Sequence, residues 1–338
     1  MTDQDARKRI AVIGAGSWGT ALAVSAARNR HEVRLWAREA EVALGIERTR
    51  RNPYYLSEFD LPENIIATAS LEEALAGADF VLVVVPSHAV REMAGRMRDY
   101  LGPGALIVGA TKGVENGTLM RMSEVIEDVF GEQLRPRFVA LSGPSFAREV
   151  AKGDPTAIVA ASLDRESSEM VQRDLSSNVL RIYTNDDVVG VELGGAVKNV
   201  VAIASGVVRG LGFGTNSVAA IVTRGLAEIT RFAMAQGARA ETMSGLAGLG
   251  DLVLTCTGDL SRNRYVGIEL GRGRKLDDIL SEMREVAEGV KTTRAIYELG
   301  RRLNIDMPIT ESTYALIYEG KPALEAAGEL MGRPLKHE

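Results

Sequence analysis

Residues 10–19 read Ile-Ala-Val-Ile-Gly-Ala-Gly-Ser-Trp-Gly, and this stretch decides how the first half of the chain folds. Four apolar residues form a run typical of a buried strand, and Ser17 begins a helical pattern. In this spacing Gly14 allows a tight turn, Gly16 lets the backbone approach a pyrophosphate, and Gly19 packs helix against strand. The following helix start offers amides and a favourable dipole to phosphate oxygens. The stretch therefore predicts a dinucleotide-binding turn and not a purely structural one.

Outward from this turn, short apolar runs alternate with helical patterns as far as residue 141. The predicted strands are Ile10–Ile13, Glu32–Trp36, Ile65–Thr68, Phe80–Val85, Ala105–Gly109 and Phe138–Leu141. Ser70 and Glu73 form a capping box that predicts a helix start. Continuous Val, Ile and Leu runs between helices indicate strands buried on both faces, so we predict an α/β, doubly wound (Rossmann-type), mostly parallel sheet.

The pattern changes near Asn185, after which apolar residues recur at helical spacing and no strand is predicted. The helices predicted there include Val218–Met234, Leu276–Met283, Thr292–Leu303 and Thr310–Tyr318. We predict a dinucleotide-binding domain over residues 1–187 and an all-α C-terminal domain, for substrate and catalysis, over residues 188–338.

Composition argues against several classes of protein. A net charge of −5 and a pI near 5.5 do not favour a nucleic-acid partner or an anionic membrane surface. Cys256 is the only cysteine, which suits a reducing cytoplasm, and we interpret it as a packing residue. The three histidines, His31, His88 and His337, have no ligand spacing, so we predict no metal. The polar segment Met1–Arg9 does not resemble a signal peptide, and we expect a cytoplasmic protein.

The end of the second strand bears on the choice of nicotinamide cofactor. An acidic residue there grips the ribose 2′-hydroxyl when NAD is preferred. Here Ala37 occupies that position and Arg38 follows, and an arginine can pair with a 2′-phosphate. We predict that NADP(H) is preferred and that NAD(H) is possible, because Glu39 could reach the 2′-hydroxyl in a shifted register.

Later strands end in polar or small residues at the sheet edge where ligands bind in open α/β folds. Lys112 could hold a substrate anion there or be an ordinary surface charge. The small residues of segment 142–147 let the backbone approach a ligand, although alone they indicate only a turn. His88 could act as a base, but its position favours capping of the next helix.

Segment 188–204 is apolar nearly all round a helix and carries Lys198. Lysine is almost never buried without a partner, and a desolvated ammonium can trade protons near neutral pH. We expect Gly194, one turn earlier on the same face, to leave room for a ligand. The alternatives are that Lys198 reaches the surface or pairs with Glu192. The charged residues Glu192 and Lys198, together with Asn199, argue against a transmembrane span over this segment.

Two segments of the second half add polar groups. Residues 245–251 are too glycine-rich for a stable helix interior, and they end in Asp251, which as an isolated residue would be read as an N-cap. Ser261 reads as the N-cap of a helix that begins with Arg262 and Asn263, a combination suited to phosphate. Arg262 by itself would be an ordinary surface charge.

These motifs occur in the order found in bacterial NAD(P)-dependent glycerol-3-phosphate dehydrogenases, which the chain closely resembles from Ile10 to about Pro322. The matching segments are residues 14–19, 85–88, 111–113, 141–147, 192–199, 248–252 and 261–263. The resemblance implies reversible conversion of sn-glycerol 3-phosphate to dihydroxyacetone phosphate, supply of glycerol phosphate for phospholipid synthesis, and a homodimer.

The resemblance also implies residue roles. Lys198 would be the proton donor and acceptor at the C2 oxygen. Substrate contacts would come from Lys112, Gly143, Ser145, Lys198, Asp251, Ser261, Arg262 and Asn263. Besides the three glycines of the turn, cofactor contacts would come from Ser17, Trp18, Arg38, Lys112, Ala147, Arg262, Val286 and Glu288.

Two alternatives belong to other classes. A 3-hydroxyacid dehydrogenase also joins a dinucleotide domain to a helical domain with a catalytic lysine, but the phosphate motif at 261–263 and the adjacency of Asn199 to Lys198 argue against it. A non-enzymatic nicotinamide-sensing module would not need a buried lysine, an acid and an anion site together.

Overall fold

The computed structural model describes residues 7–134, 137–283, 287–335 and 337. Its strands are β1 (Arg9–Ile13), β2 (Glu32–Trp36), β3 (Ile65–Thr68), β4 (Phe80–Val83), β5 (Leu106–Gly109), β6 (Val139–Ser142), β7 (Thr156–Ala161) and β8 (Leu180–Asn185). Its first helices are α1 (Ser17–Arg28), α2 (Ala40–Thr49), α3 (Leu71–Leu75), α4 (Val90–Met97), α5 (Met122–Phe130), α6 (Ala147–Lys152) and α7 (Arg165–Leu175).

The remaining helices follow β8. They are α8 (Val188–Gly210), α9 (Thr215–Met234), α10 (Ala240–Met243), α11 (Asp251–Thr257), α12 (Arg262–Gly271), α13 (Leu276–Glu282), α14 (Glu288–Arg302), α15 (Pro308–Tyr318) and α16 (Ala323–Met331). The four helices predicted from periodicity in this half all appear, as α9, α13, α14 and α15, and none of their ends is shifted by more than four residues.

In the described part of the chain the strands form one sheet in the order β3-β2-β1-β4-β5-β6-β7-β8. Strands β1 to β6 pair in parallel. Strands β4, β5 and β6 are buried throughout, as their continuous apolar runs predict. The predicted doubly wound, mostly parallel sheet is confirmed. The order reverses between β1 and β4, and this reversal is where open α/β sheets form a ligand crevice beyond the strand ends.

Two strands of the sheet were not predicted. Strand β7 runs antiparallel to β6, and β8 pairs in parallel with β7. In β8, buried Leu180 and Ile182 alternate with exposed Arg181 and Tyr183, so one of its faces is exposed. Such a strand has a period of two and lacks the continuous apolar run that marks the inner strands.

The chain divides into two compact units. The first comprises the described residues up to Lys112 together with Met122–Val191, and the second comprises Gly113–Arg121 and the described residues from Glu192 onward. The first unit contains the sheet, and the second is helical in its described residues apart from an isolated bridge between Val114 and Arg121. A domain boundary between residues 187 and 188 stays a prediction.

Helix α8 is long and apolar enough, by length and composition, to cross a membrane, but 89% of its most apolar window is buried inside the protein. It is therefore packed as a core helix. Part of its face lies against α12, where Gly206 and Gly210 meet Gly267 and Gly271. A Cβ at Gly206 would lie 2.1 Å from the Arg264 carbonyl oxygen, so only glycine allows these backbones to approach so closely.

This contact predicts a large difference between two Gly→Ala substitutions. Gly206→Ala should lower the free energy of unfolding by about 2 kcal/mol, because the added methyl group overlaps the α12 backbone. Gly328→Ala, inside α16, should be neutral or stabilise by up to about 1 kcal/mol, because nothing lies within 4 Å of its added Cβ. Urea unfolding of both variants measures the difference, and equal effects would contradict the packing of α8 on α12.

Candidate active site

The turn after β1 contains two glycines that the protein itself requires. Gly14 has φ of +124°, and a Cβ there would lie 2.7 Å from the Val84 carbonyl oxygen. A Cβ at Gly19 would lie 1.8 Å from the Gly14 carbonyl oxygen. These contacts explain the predicted roles of the first and third glycines: a tight turn and close helix-on-strand packing.

Gly16 differs, because neither its backbone conformation nor the described residues around it require glycine. Its φ is −73°, and nothing lies within 4 Å of an added Cβ. Its backbone amide, at the start of α1, has no hydrogen-bond partner among the residues that the structure describes. An open space beside an unpaired amide at a helix N-terminus fits a pyrophosphate, whose oxygens need both close approach and donors.

Three other predicted cofactor residues lie near this turn or helix. Ser17 and Trp18 form the first turn of α1. Trp18 and Ala147, the first residue of α6, both pack against the small cluster of Ala21, Val150 and Ala151. The fold therefore brings the start of α6 to the helix that follows the glycine turn.

At the end of β2, Ala37 is buried, and its amide donates to the Thr68 carbonyl. Arg38 is 80% exposed, and its Nε and Nη2 lie 2.7 and 2.6 Å from Glu39 Oε1. An exposed ion pair of this kind contributes little to stability, so a ligand can displace it at small cost. The residue that follows Ala37 is thus an exposed arginine, whose long side chain is held only by an exposed ion pair with Glu39.

Strands β5 and β6 are neighbours, and their carboxyl ends bring together three predicted substrate residues. Lys112 Nζ donates to the Gly143 carbonyl at 3.0 Å, and Ser145 Oγ donates to the same oxygen at 3.0 Å. Gly143 has φ of +136°, and its Cβ would lie 2.9 Å from Ile158 Cα, so glycine is required there. His88 lies in a 3₁₀ turn and is exposed.

In the helical unit, Lys198 is buried, with 6% of its surface exposed. Its Nζ lies 2.7 Å from Asp251 Oδ1 and 2.7 Å from Thr255 Oγ1, and both partners are buried. Asp251 begins α11 with its carboxylate directed at Lys198, so the N-cap interpretation of this residue is wrong. Lys198 does not snorkel to the surface, and Glu192 forms its ion pair with Arg121 at 3.1 Å.

Thr255 is a site residue that the sequence analysis missed. It lies one helical turn after Asp251, and its hydroxyl donates to the Asp251 carbonyl at 2.6 Å while accepting from Lys198. The spacing i, i+4 from a predicted acid was the available signal, because it places both side chains on one face of a helix. The hydroxyl completes a polar setting for an ammonium in an otherwise apolar region.

The glycine-rich segment before Asp251 is helical, contrary to expectation. Residues Leu246–Gly250 form a π-helical turn that continues into α11. Space for this turn comes from Gly194, whose Cβ would lie 2.6 Å from the Ala247 carbonyl oxygen. The expectation that Gly194 leaves room for a ligand is therefore wrong: backbone occupies that room and thereby positions Asp251.

Cys256, next to Thr255, is fully buried. Burial raises the pKa of its thiol to about 12, with Lys198 acting in the opposite direction. The thiol stays protonated at neutral pH and is no nucleophile, which agrees with its interpretation as a packing residue.

Asn263 links three helices. Its Nδ2 donates to Asn199 Oδ1 at 2.9 Å, and its Oδ1 accepts from the Gly289 amide at 2.9 Å. A Cβ at Gly289 would lie 2.7 Å from Asn263 Oδ1. These bonds leave one amide hydrogen of Asn263 without a partner in the described residues, available to a ligand.

The other predicted residues here lie at helix starts. Ser261 is the N-cap of α12, and its Oγ accepts from the Arg264 amide at 3.2 Å, as predicted. Arg262 is exposed at the first position of α12, and Glu288 is the first residue of α14. Val286 lies outside the described residues.

Within the parts of the chain described by the structure, no three His, Cys, Asp or Glu side chains group as metal ligands. The groups described above are a buried ammonium at Lys198, a helix start at Ser261 and an open glycine turn at Gly16.

Residues 9–168 and 187–328 match the N-terminal and C-terminal parts of the family described as NAD-dependent glycerol-3-phosphate dehydrogenase. The chain is 57% identical over 328 residues to the glycerol-3-phosphate dehydrogenase (NAD(P)+) of Koribacter versatilis, covering 96% of this chain and 97% of that one. It is 53% identical to the enzyme of the same name from Geobacter sulfurreducens, covering 98% and 99%. The crystal structure of glycerol-3-phosphate dehydrogenase from Coxiella burnetii is similar, with a TM-score of 0.92, 38% identity and coverage of 97% and 99%.

The open space at Gly16 predicts a separation of binding from stability. Gly16→Val should leave the melting temperature nearly unchanged, because an added Cβ meets no atom of the described residues beyond its chain neighbours. It should raise the dissociation constant for NADPH and NADH by about tenfold or more, because the side chain occupies the space offered to the pyrophosphate. Fluorescence titration and thermal unfolding measure both quantities.

Gly19→Val is the contrasting variant, since its side chain overlaps the Gly14 backbone and should destabilise the fold. A Gly16→Val protein that binds dinucleotide as tightly as wild type would exclude this turn as the pyrophosphate site.

Proposed function

The chain belongs to the NAD-dependent glycerol-3-phosphate dehydrogenase family, and from that premise we propose that it reversibly reduces dihydroxyacetone phosphate to sn-glycerol 3-phosphate with NAD(P)H. The observation that carries the proposal is the buried Lys198 ammonium held by Asp251 and Thr255. A ketone becomes an alcohol only if its oxygen receives a proton, and a buried, positioned ammonium is suited to supply one.

When bound, the reduced nicotinamide supplies the hydride that the carbonyl carbon receives. As negative charge grows on the carbonyl oxygen, Lys198 stabilises that charge and donates a proton to it. Asp251 holds the ammonium through a 2.7 Å bond, so little rearrangement is needed at the moment of reaction. In the oxidative direction the neutral amine takes the proton back.

The start of α12 is proposed to bind the substrate phosphate. Arg262 offers an exposed guanidinium there, Asn263 offers one amide hydrogen, and the helix N-terminus favours negative charge. Ser261 holds this helix start as its N-cap. Binding the phosphate away from the reacting carbon converts binding energy into orientation of that carbon.

The other roles are proposed residue by residue. Lys112, Gly143 and Ser145 are proposed as further substrate contacts, and their shared hydrogen bonds support a common polar location. The proposed cofactor contacts are Gly14, Gly16, Ser17, Trp18, Gly19, Arg38, Lys112, Ala147, Arg262, Val286 and Glu288.

A preference for NADP(H) over NAD(H) is part of the proposal. Ala37 supplies no carboxylate after β2, and Arg38 is exposed and weakly held, which favours pairing with a 2′-phosphate. Glu39 is the residue that would favour NAD(H), since its carboxylate lies in the same exposed area.

One assay separates this function from its rivals. Oxidation of NAD(P)H is followed by absorbance with dihydroxyacetone phosphate, with unphosphorylated dihydroxyacetone and with a 3-oxo acid. We expect turnover mainly with the phosphate ester. Turnover with the 3-oxo acid would indicate a 3-hydroxyacid dehydrogenase, and binding without turnover would indicate a sensing module.

We further propose that the enzyme is a cytoplasmic homodimer that supplies glycerol phosphate for phospholipid synthesis. The support is the family resemblance, together with a single buried cysteine and an acidic pI. Sedimentation velocity would detect a dimer as a species of about twice the 36.3 kDa chain mass, and a single 36.3 kDa species would contradict it.

Lys198→Ala should lower kcat by about a hundredfold or more, because it removes both the proton donor and the charge that stabilises the oxyanion. The dissociation constant for NADPH should stay within about twofold of wild type. Lys152→Ala, which removes a lysine that is 66% exposed, is the control and should turn over normally. Near-normal turnover by the folded Lys198→Ala enzyme would refute the acid role.

Arg38→Ala should lower kcat/KM for NADPH by about tenfold, because one charge-assisted contact to the 2′-phosphate is lost. The value for NADH should change by less than about twofold. Arg165→Ala is a matched control, since Arg165 forms a similarly exposed pair with Glu169 in the same unit. If wild type strongly prefers NADH, or if Arg38→Ala affects both cofactors equally, the proposed NADP(H) preference is wrong.

A further inference from the structure

A fully buried asparagine outside the proposed site makes an unusual set of hydrogen bonds at the glycine turn. Asn52 has no exposed surface. Its Nδ2 donates to the Ala15 carbonyl at 2.9 Å and to Thr20 Oγ1 at 2.9 Å. Its Oδ1 accepts from the amides of Tyr54 and Tyr55, each at 3.1 Å. All four hydrogen-bonding positions of the side-chain amide are therefore used.

Asn52 belongs to a loop that closes on itself. The Leu61 amide donates to the Arg50 carbonyl at 2.8 Å, so residues 50–61 form a compact surface loop with adjacent ends. Leu56 and Phe59 of this loop pack against the same small cluster as Trp18. The loop thus contacts the start of α1 through an apolar cluster and through one asparagine.

The asparagine acts on the peptide group that matters for phosphate binding. Ala15 O and Gly16 N–H belong to one planar trans peptide, so the carbonyl and the amide hydrogen point in opposite directions. Asn52 at 2.9 Å and Thr20 Oγ1 at 3.4 Å hold the carbonyl. The Gly16 amide, which has no partner in the described residues, is thereby directed away from Asn52.

We propose that Asn52 is a positioning residue for dinucleotide binding: it holds the Ala15–Gly16 peptide so that the Gly16 amide is presented to the pyrophosphate. Without this restraint the peptide can rotate, and the amide must be oriented when the ligand binds. That reorganisation weakens binding of the cofactor but does not touch the chemistry of the carbonyl. The inference rests on the proposed role of the glycine turn.

Asn52→Asp is the sharpest test, because it keeps the oxygen that accepts from Tyr54 and Tyr55 and puts a carboxylate oxygen, which repels the Ala15 carbonyl, in place of the donor nitrogen. Its dissociation constants for NADH and NADPH should rise about tenfold, because the two bonds donated to the Ala15 carbonyl and to Thr20 Oγ1 are lost. At saturating cofactor, kcat and the KM for dihydroxyacetone phosphate should stay within about twofold. Isothermal titration calorimetry and steady-state assays give these values.

The chain offers a matched control in Asn64, whose Nδ2 donates to the carbonyls of Ala27, in the last turn of α1, and His31, at 2.8 and 2.7 Å. Asn64→Asp removes the same kind of bonds and should lower the melting temperature without changing cofactor affinity. If Asn64→Asp weakens cofactor binding as much as Asn52→Asp does, the effect is general destabilisation and the proposal fails.

A milder variant covers the case in which Asn52→Asp does not fold. Thr20→Val removes the hydroxyl that bridges Asn52 and the Ala15 carbonyl, and it should raise the dissociation constants about threefold. Unchanged affinity in folded Asn52→Asp, or in Thr20→Val if the former does not fold, would overturn the proposal. Gly16→Val distinguishes failure of the glycine-turn site from failure of the Asn52 proposal. Normal cofactor binding by Gly16→Val refutes the glycine-turn site itself. Weak binding by Gly16→Val together with normal binding by Asn52→Asp refutes only the role of Asn52.

Discussion

The helical unit depends on one constraint, which is that a lysine ammonium has to be kept charged away from water. Moving such an ion into a protein interior costs several kcal/mol unless a well-placed partner compensates. Asp251 and Thr255 provide that compensation on one face of α11, each 2.7 Å from Lys198 Nζ. The rest of the local packing serves this geometry: the absence of a side chain at Gly194 admits the π-helical turn that leads into Asp251.

The glycines illustrate two different reasons for the same residue type. At Gly14, Gly19 and Gly206, an added Cβ would overlap backbone atoms of the protein, so glycine is a requirement of the fold. At Gly16 an added Cβ would meet no atom of the described residues beyond its chain neighbours, so the fold does not require glycine there. Gly328 has the same open surroundings, and what distinguishes Gly16 is that its backbone amide, at the start of α1, has no partner in the described residues, which suits a phosphate ligand.

Much of the fold follows from local patterns. Continuous apolar runs mark the inner strands, and Ser70 and Ser261 mark helix starts because an N-cap bond spans only three residues. Of the two strands beyond β6, β8 was not predicted because it is half exposed and lacks a continuous apolar run. Thr255 and Asn52 were not predicted because each acts on a partner that is distant in the chain. Lys198 is 57 residues from Thr255, and Ala15 is 37 residues from Asn52.

The sequence by itself determined the class of fold and the family, and it placed a lysine in an apolar helix, because each of these is a matter of residue spacing within a short segment or in a series of such segments. Only the tertiary structure decided that Asp251 faces Lys198, that backbone and not a ligand fills the space beside Gly194, and that Asn263 bonds to Asn199 and Gly289. The physical reason is that hydrogen-bond partners and free space beside a Cα are set by elements packed from distant parts of the chain, whereas turn chemistry and hydrophobic period are properties of neighbouring residues.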